Sequence, residues 1–241
     1  MDPGRDPARR GEPDHHAGVS DTPGRLIVFE APEGAGKTTQ LARLTAWLAR
    51  NRVAHTAVRE PGGTPLGDQI RDLLLNPGRA DMTPRSEALL FMASRAELIE
   101  RVVRPALARG EFVLADRFFL STYAYQVHGR GLSFDDVRAA NAFATGGLVP
   151  DVTLLISLSA DVRQVRAEAR GFADRMERAG ADFHERVAAA FTLFAGAGWQ
   201  AAHPECGPIV AIDGAGDESA VFDRVLAALA ARWPASFEAP R

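Results

Sequence analysis

The chain has 241 residues, of which 46% are hydrophobic and 24% charged, a composition typical of a globular protein. Its formal net charge of −3 argues against general electrostatic attraction to nucleic acid or anionic lipid. No stretch approaches the ~18 consecutive apolar residues of a membrane-spanning helix. A single cysteine, Cys206, excludes an intrachain disulfide and favours a reducing compartment, so we expect a cytoplasmic protein.

Short apolar runs alternate with longer helical patterns from Arg25 onward. The apolar runs predict strands at 26–30, 55–60, 111–116, 152–157 and 208–213. The segments between them predict helices at 37–50, 66–75, 84–109 after the N-cap Thr83, 133–145, a stretch capped by Asp161, and 217–232. Residues 1–24 carry no apolar run, so we expect a disordered tail there and a second tail at 233–241.

Strands that alternate with helices favour a parallel sheet, because each parallel connection must cross one face of the sheet. We therefore expect a single α/β domain over residues 25–232, with a five-stranded parallel sheet between two layers of helices. Ligands of such sheets bind at the carboxyl ends of the strands. Three stretches, 31–39, 59–64 and 116–131, each follow a strand directly and are predicted to meet in one cleft.

The stretch "IVFEAPEGAGKTT" (27–39) places a glycine-bearing turn between a strand and a helix. It ends like a phosphate-binding loop of the pattern G-x-x-x-x-G-K-[ST], although Ala31 stands where that pattern has glycine. Alanine is acceptable there because Pro32 favours extended backbone angles for the residue before it. Lys37 can then bridge phosphate oxygens and Thr38 can hold Mg²⁺. The backbone N–H groups that can point at a phosphate belong to Gly34, Ala35, Gly36, Lys37, Thr38 and Thr39.

Charged and aromatic residues near this loop suggest a second binding region. Glu33 would repel a phosphate, so its carboxylate either turns to solvent or meets a substrate hydroxyl. Asp116 ends a predicted strand, where a carboxylate can assist Mg²⁺, and Arg117 adds a fork for an anion. Phe91 and Arg95 lie four residues apart on one helical face. Core packing is the alternative for Phe91, whereas Arg95 on the same face favours a cleft.

Several longer motifs occur in a fixed order: "EGAGKTTQ" (33–40), "REPGGTPLGDQIRDLLL" (59–75), "LLFMASRAELI" (89–99), "RPAL" (104–107), "DRFFLSTYAYQ" (116–126), "GL-PD" (147–151) and "DRME" (174–177). In these motifs the chain resembles the thymidylate kinases, a family of P-loop nucleoside monophosphate kinases, from about Arg25 to Arg232. The resemblance implies that the γ-phosphoryl group of Mg-ATP is transferred to dTMP, giving dTDP for dTTP synthesis. It also implies a homodimer. The binding partners implied are the small molecules dTMP and ATP, and neither nucleic acid nor a membrane is expected as a partner.

On the donor side, the resemblance implies that Lys37 and Thr38 handle the ATP phosphates and Mg²⁺, with Asp116 near the metal. On the acceptor side, it implies that Phe91 stacks on thymine and that Arg95 reaches the base and phosphate region. The other residues expected at the acceptor are Arg117 at the dTMP phosphate, Thr122 at the base edge, Tyr125 against sugar C2′, and Glu33, Glu60 and Ser121.

The basic segment "DVRQVRAEARGFADRMER" has two interpretations: a solvated helix face, or the lid over ATP at about 163–180 that the resemblance implies. Family members with an acidic residue in the phosphate loop carry a catalytic arginine in the lid. The candidates are Arg166, Arg170 and Arg175. Glu168 stands where relatives often have a further arginine, so the choice among them stays open.

Other functional classes also stay open. A different nucleoside monophosphate kinase would share the phosphate loop, and a nucleotide-dependent switch would need that loop without an acceptor pocket. The aromatic and arginine residues expected at the acceptor argue against a switch. Intact Lys37, Thr38 and Asp116 argue against a catalytically silent relative.

Overall fold

A computed structural model of the protein describes residues 23–79, 81–158 and 175–237. The strands are β1 (Arg25–Glu30), β2 (His55–Arg59), β3 (Phe112–Asp116), β4 (Val152–Ser157) and β5 (Ile209–Asp213). Within the described residues they form one five-stranded, all-parallel sheet in the order β2-β3-β1-β4-β5. The predicted α/β fold with a parallel sheet is therefore confirmed.

The helices lie on both faces of this sheet. They are α1 (Lys37–Arg50), α2 (Pro65–Leu75), α3 (Pro84–Leu98, continuing through π-helical Ile99–Val103 to Arg104–Ala108), α4 (Phe119–Thr122, continuing as π-helical Tyr123–Gly129), α5 (Phe134–Thr145), α6 (Ala181–Phe194), α7 (Ala197–Ala202), α8 (Glu218–Arg232) and α9 (Pro234–Phe237). The observed α1 and β4 have the predicted bounds. Of the described helices, α4, α6, α7 and α9 were not predicted, and the helix expected after Asp161 lies outside the described residues.

Helix starts follow from local side-chain chemistry. The Thr83 hydroxyl accepts a hydrogen bond from the backbone N–H of Ser86 at 3.4 Å, with proline at the first position of α3. Ser133 accepts from the N–H of Asp136 at 3.4 Å at the start of α5. Such caps satisfy N–H groups that have no partner within the helix. The predicted N-cap Thr83 is therefore confirmed, and Ser133 caps α5 in the same way.

The core lies on both faces of the sheet, and β1 shows why. Leu26 and Val28 pack against α3, α4 and α6 on one face, whereas Ile27 and Phe29 pack against α1 and α8 on the other. All four side chains are at most 1% exposed. Burial of a side chain of this size contributes about 1.5–3 kcal/mol. A strand buried on both faces reads as a continuous apolar run, which is why β1 could be predicted.

The chain beyond α8 packs against the domain. The ring of Phe237 is 5.5 Å from that of Trp47 and 5.2 Å from that of Phe112, and Phe237 is 4% exposed. A tail was predicted at 233–241, so the packed part of the chain continues past the predicted boundary at 232. The tail expected at 1–24 falls almost wholly on residues outside the described part. Among the described residues, no helix combines the length and apolar character needed to span a bilayer.

Candidate active site

A cavity of about 510 Å³ opens where β1, β2 and β3 end. Parallel strands bring their carboxyl ends to one edge of the sheet, so the segments that follow them become neighbours. The predicted stretches 31–39, 59–64 and 116–131 all contribute lining residues, together with α3. The predicted convergence of these stretches on one cleft is therefore confirmed.

The turn between β1 and α1 has the backbone geometry of an anion-binding loop. Gly34 and Gly36 adopt φ angles of 79° and 85°, in the left-handed region that favours glycine. Ala31 is not among the described residues with positive φ, in agreement with the argument that glycine is dispensable there. No described side chain caps α1. Its first N–H groups, at the positive end of the helix dipole, therefore remain available to an anion.

Lys37, Thr38 and Asp116 meet at the mouth of this loop. Lys37 forms an ion pair with one carboxylate oxygen of Asp116, and the Thr38 hydroxyl donates to the other at 3.3 Å. Among the described residues, no group of three or more His, Cys, Asp or Glu side chains could hold a metal ion alone. One carboxylate and one hydroxyl still suit Mg²⁺, which is often bound by one or two carboxylates together with substrate phosphates and waters.

The carboxylate of Glu33 lies in the cavity wall and is held by a tyrosine. The Tyr125 hydroxyl donates to Glu33 Oε1 at 2.9 Å, and His184 Nδ1 lies 4.0 Å from Glu33 Oε2. Burial raises the pKa of Tyr125; the positive charge of Arg117 acts against this shift and Glu33 adds to it. Tyr125 therefore stays a neutral phenol that donates a hydrogen bond to Glu33. Glu33 thus lines the cavity, where its carboxylate is held by Tyr125.

Arg117 follows β3 in a strained backbone conformation. Its φ angle is 74°, and its N–H donates to the carbonyl of Phe29 at 3.0 Å. The guanidinium lies over the ring of Tyr125, 5.4 Å from its centroid, and donates to the Ser121 hydroxyl at 2.9 Å. The buried carboxylate of Glu30 accepts from the N–H groups of Phe118 and Ser121, at 2.8 and 3.0 Å. Glu30 therefore secures the turn that carries Arg117.

Arg95 forms a buried hub at one side of the cavity. Its Nε donates to Glu60 Oε2 at 2.7 Å, its Nη2 donates to the carbonyl of Phe118 at 3.0 Å, and its Nη1 donates to Asn141 Oδ1. Arg95 is 2% exposed and Glu60 is 7% exposed. Burial raises the pKa of Glu60, while the charge of Arg95 and its hydrogen bond act against this shift. The hub fixes the guanidinium from three elements, so it is preorganised before any ligand binds.

Comparison with known proteins agrees with this geometry. A family model described as thymidylate kinase matches residues 29–201. The thymidylate kinase of Deinococcus radiodurans is 51% identical over 168 residues, which cover 70% of this chain and 81% of the relative. That of Exiguobacterium sp. is 46% identical over 168 residues, 70% of this chain and 79% of the relative. That of Desulforudis audaxviator is 51% identical over 167 residues, 68% of this chain and 74% of the relative. The chain belongs to the thymidylate kinase family.

In this thymidylate kinase family member, every predicted site residue that the structure describes, apart from Arg175, lines this cavity. Arg166 and Arg170, the two arginines assigned to catalysis in the lid, lie outside the described residues. Arg175 is described and does not line the cavity. It is 7% exposed, and its Nε donates to the carbonyl of Leu74 at 2.7 Å. The structure therefore places Arg175 behind the wall of the site.

The sequence did not identify the residues that hold the site residues of this family member in place by hydrogen bonds. The sequence pattern at Glu30 indicates only the end of a strand, and the pattern at Asn141 indicates only part of a helix. Gln126 lines the cavity and is 2% exposed. The motif that contains it gave other residues as site candidates, but not Gln126. The signal available for Gln126 was its place at the end of "DRFFLSTYAYQ". Its partner Glu87 is 39 residues away and could not be paired with it before the topology was known.

Proposed function

We propose that this member of the thymidylate kinase family binds dTMP and Mg-ATP in the 510 Å³ cavity and uses ATP as its phosphoryl donor. Membership of the family makes the reaction the phosphorylation of dTMP to dTDP, a step of dTTP synthesis. The observation that supports the full proposal is that one cavity joins the phosphate loop to Phe91, Arg95, Arg117 and Tyr125. A nucleotide switch has no need of that second set of residues.

On the donor side, the residues act by positioning and by charge. The loop N–H groups and Lys37 would bind the β- and γ-phosphates of ATP, as phosphoryl transfer requires. Thr38 and Asp116 would hold Mg²⁺, which when bound neutralises charge on the phosphate oxygens. The hydrogen bond between Thr38 and Asp116 supports this role, because it brings the two oxygen atoms within 3.3 Å of each other.

On the acceptor side, the residues provide an aromatic ring, hydrogen-bonding groups for the edge of a base, and a positive charge. The half-buried ring of Phe91 can stack on a base, and the hydroxyl of Thr122 lies in the same cavity wall. The Gln126 amide nitrogen donates to Glu87 at 3.0 Å, which leaves its carbonyl for the cavity. That carbonyl can accept from a base with a ring N–H, such as thymine. Arg117 would hold the 5′-phosphate by charge-assisted hydrogen bonds.

The transition state needs positive charge that the phosphate loop cannot supply alone, because Glu33 adds a negative one. Glu33, oriented by Tyr125, would bind a sugar hydroxyl of the acceptor. Arg166 or Arg170 would close over the ATP phosphates and stabilise the transferring group. Since Arg175 is engaged elsewhere, it leaves the set of catalytic candidates.

Two wider expectations belong to the same proposal. A homodimer is supported by exposed apolar side chains on the packed helices α3 and α5, where Leu89 is 62% and Phe143 is 91% exposed. A cytoplasmic location is supported by Cys206, which is a buried free thiol.

The deciding experiment is an ADP-release assay with ATP, Mg²⁺ and a panel of acceptors: dTMP, dUMP, UMP, CMP and AMP. We expect the highest kcat/KM with dTMP and loss of activity when EDTA removes the metal. Preference for CMP or AMP would instead identify a different monophosphate kinase. ADP release at the same rate without any acceptor would identify an ATPase.

A further inference from the structure

A buried cluster of charged side chains lies directly behind the cavity wall. Its centre is Glu87, in the first turn of α3, whose carboxylate is 0% exposed. Oε1 accepts from Gln126 Nε2 at 3.0 Å and from Arg130 Nε at 3.1 Å. Oε2 accepts from Arg130 Nη2 at 3.0 Å and pairs with Arg175 Nη2 at 2.7 Å. Both oxygens of Glu87 are thus fully engaged.

Glu87 is held in its ionised form. Burial acts to raise its pKa, but the hydrogen bonds from Arg130, Gln126 and Arg175 outweigh burial and lower the pKa below its usual value. An ionised carboxylate can only accept hydrogen bonds. The Gln126 amide must therefore present its NH₂ group to Glu87, and its carbonyl oxygen must point the other way.

The other end of this amide meets the cavity. Within the described part of the chain, no donor reaches Gln126 Oε1, and the hydrogen bond of this amide is the one that Nε2 donates to Glu87. Among the described residues, this oxygen is also not one of the fully buried side-chain N or O atoms that lack a hydrogen-bond partner. Because Gln126 lines the cavity, the oxygen is open to a ligand there.

Arg175 connects the cluster to the chain that returns from the lid region. Its backbone N–H donates to the carbonyl of Leu75 at 3.1 Å, which ties this point of the chain to the end of α2. The next two residues, Met176 and Glu177, line the cavity. The same carboxylate that orients Gln126 therefore also anchors a neighbouring part of the wall.

We propose that Glu87 is a positioning residue for base selection: its carboxylate, bridged by Arg130 and Arg175, holds the Gln126 amide with its carbonyl oxygen toward the cavity. An oxygen fixed in this way accepts from the ring N–H of thymine or uracil and repels the ring nitrogen of cytosine, which carries a lone pair. The inference rests on the proposed function, because it requires a pyrimidine base beside Gln126.

The test is the ratio of kcat/KM for dUMP to that for dCMP, two acceptors of equal size that differ only at this edge of the base. Glu87→Gln introduces an amide that can donate to Gln126 Oε1, so the Gln126 amide can turn and present NH₂ to the cavity. We expect the ratio to fall roughly tenfold, the effect of one neutral hydrogen bond, while KM for ATP stays within about twofold. Thermal unfolding shows whether the variant is folded.

A matched control is Glu97→Gln, which also removes a carboxylate from α3. Glu97 pairs with exposed Arg101 at 3.2 Å and does not line the cavity, so the ratio should not change. An unchanged ratio in folded Glu87→Gln overturns the proposal. Equal loss of kcat/KM for both acceptors also overturns it, because a purely structural role predicts that result.

A second variant decides the matter if Glu87→Gln does not fold. Arg130→Lys keeps the charge but loses the fork that binds both carboxylate oxygens, so we expect a smaller fall in the same ratio. An unchanged ratio in that variant likewise overturns the proposal. Failure of the wild-type protein to phosphorylate dTMP would be a failure of the proposed function, which the acceptor panel detects separately.

Discussion

Replacing Arg95 by leucine would leave the carboxylate of Glu60 buried without its partner. The two side chains are 2% and 7% exposed, and Arg95 Nε donates a hydrogen bond of 2.7 Å to Glu60 Oε2. Removal of one member of a buried ion pair costs about 3–5 kcal/mol, because the remaining charge stays desolvated. For a chain of this size, 1 kcal/mol shifts Tm by about 2–4 °C, so we expect Tm to fall by roughly 6–20 °C.

The loss should depend on pH in a defined direction. Burial raises the pKa of Glu60 in the folded state above its unfolded value, and loss of Arg95 would raise it further. A carboxyl group whose pKa is higher in the folded state stabilises the fold when the pH is below the pKa of the unfolded state. This stabilisation is lost as the pH rises through the pKa of the folded state. The Arg95→Leu variant should therefore lose more stability at pH 8 than at pH 5.

Urea unfolding followed by circular dichroism, at one protein concentration, measures this loss. The control is Arg101→Leu on the same helix, whose side chain is 74% exposed and whose ion pair should contribute less than about 1 kcal/mol. Adding Glu60→Gln to Arg95→Leu should recover part of the stability, since the buried charge is then gone. The reasoning is refuted if Arg95→Leu costs no more than the control, or if the second substitution adds a further loss.

Three predictions concern catalysis. Lys37→Ala should fold normally but lose roughly 100-fold or more in kcat, as expected for a charge removed from the transferring oxygens; near wild-type turnover would contradict the assignment of the phosphate loop. Tyr125→Ala should narrow the preference for dTMP over its ribo analogue, because rejection of a 2′-hydroxyl by bulk contributes only ~1–3 kcal/mol; an unchanged ratio of kcat/KM values would rule out this steric gate. Of Arg166→Ala and Arg170→Ala, at least one should lower kcat by ~10³ with little change in KM for dTMP; if both retain kcat within a few fold, the lid is not the source of catalytic charge.

The regular elements could be predicted because they carry local signals. The strands β1, β3 and β4 are short apolar runs that are largely buried on both faces, and α3 and α5 begin at side-chain caps that are visible in the sequence. The helix α4 was missed because its residues carry the site motif and no helical repeat, and its second half is π-helical. The contact of Phe237 with Trp47, about 190 residues earlier, could not be predicted, because such a contact leaves no local pattern.

The candidate site divides in the same way. The phosphate loop, Asp116 and Arg117 could be predicted because each lies at the end of a strand or directly after one, and parallel strands end at one edge of the sheet. Residues that hold these groups from behind could not be predicted. Asn141 bonds to Arg95 across 46 positions of the chain, and such a pair is defined only by how helices pack. The same is true of Arg175, which the family resemblance made a catalytic candidate and whose side chain forms an ion pair with buried Glu87.

The left-handed backbone of Arg117 bears on attempts to make this protein more stable. A non-glycine residue with a φ angle of 74° carries strain of about 1–3 kcal/mol, and here the hydrogen bond to Phe29 holds the backbone in place. Glycine at this position would relieve that strain, so a selection for heat resistance alone would favour Arg117→Gly. The same exchange would remove the guanidinium over Tyr125 that is proposed to grip the acceptor. Thermal stability and turnover are thus opposed at one residue, and directed evolution of this enzyme needs to select for both at once.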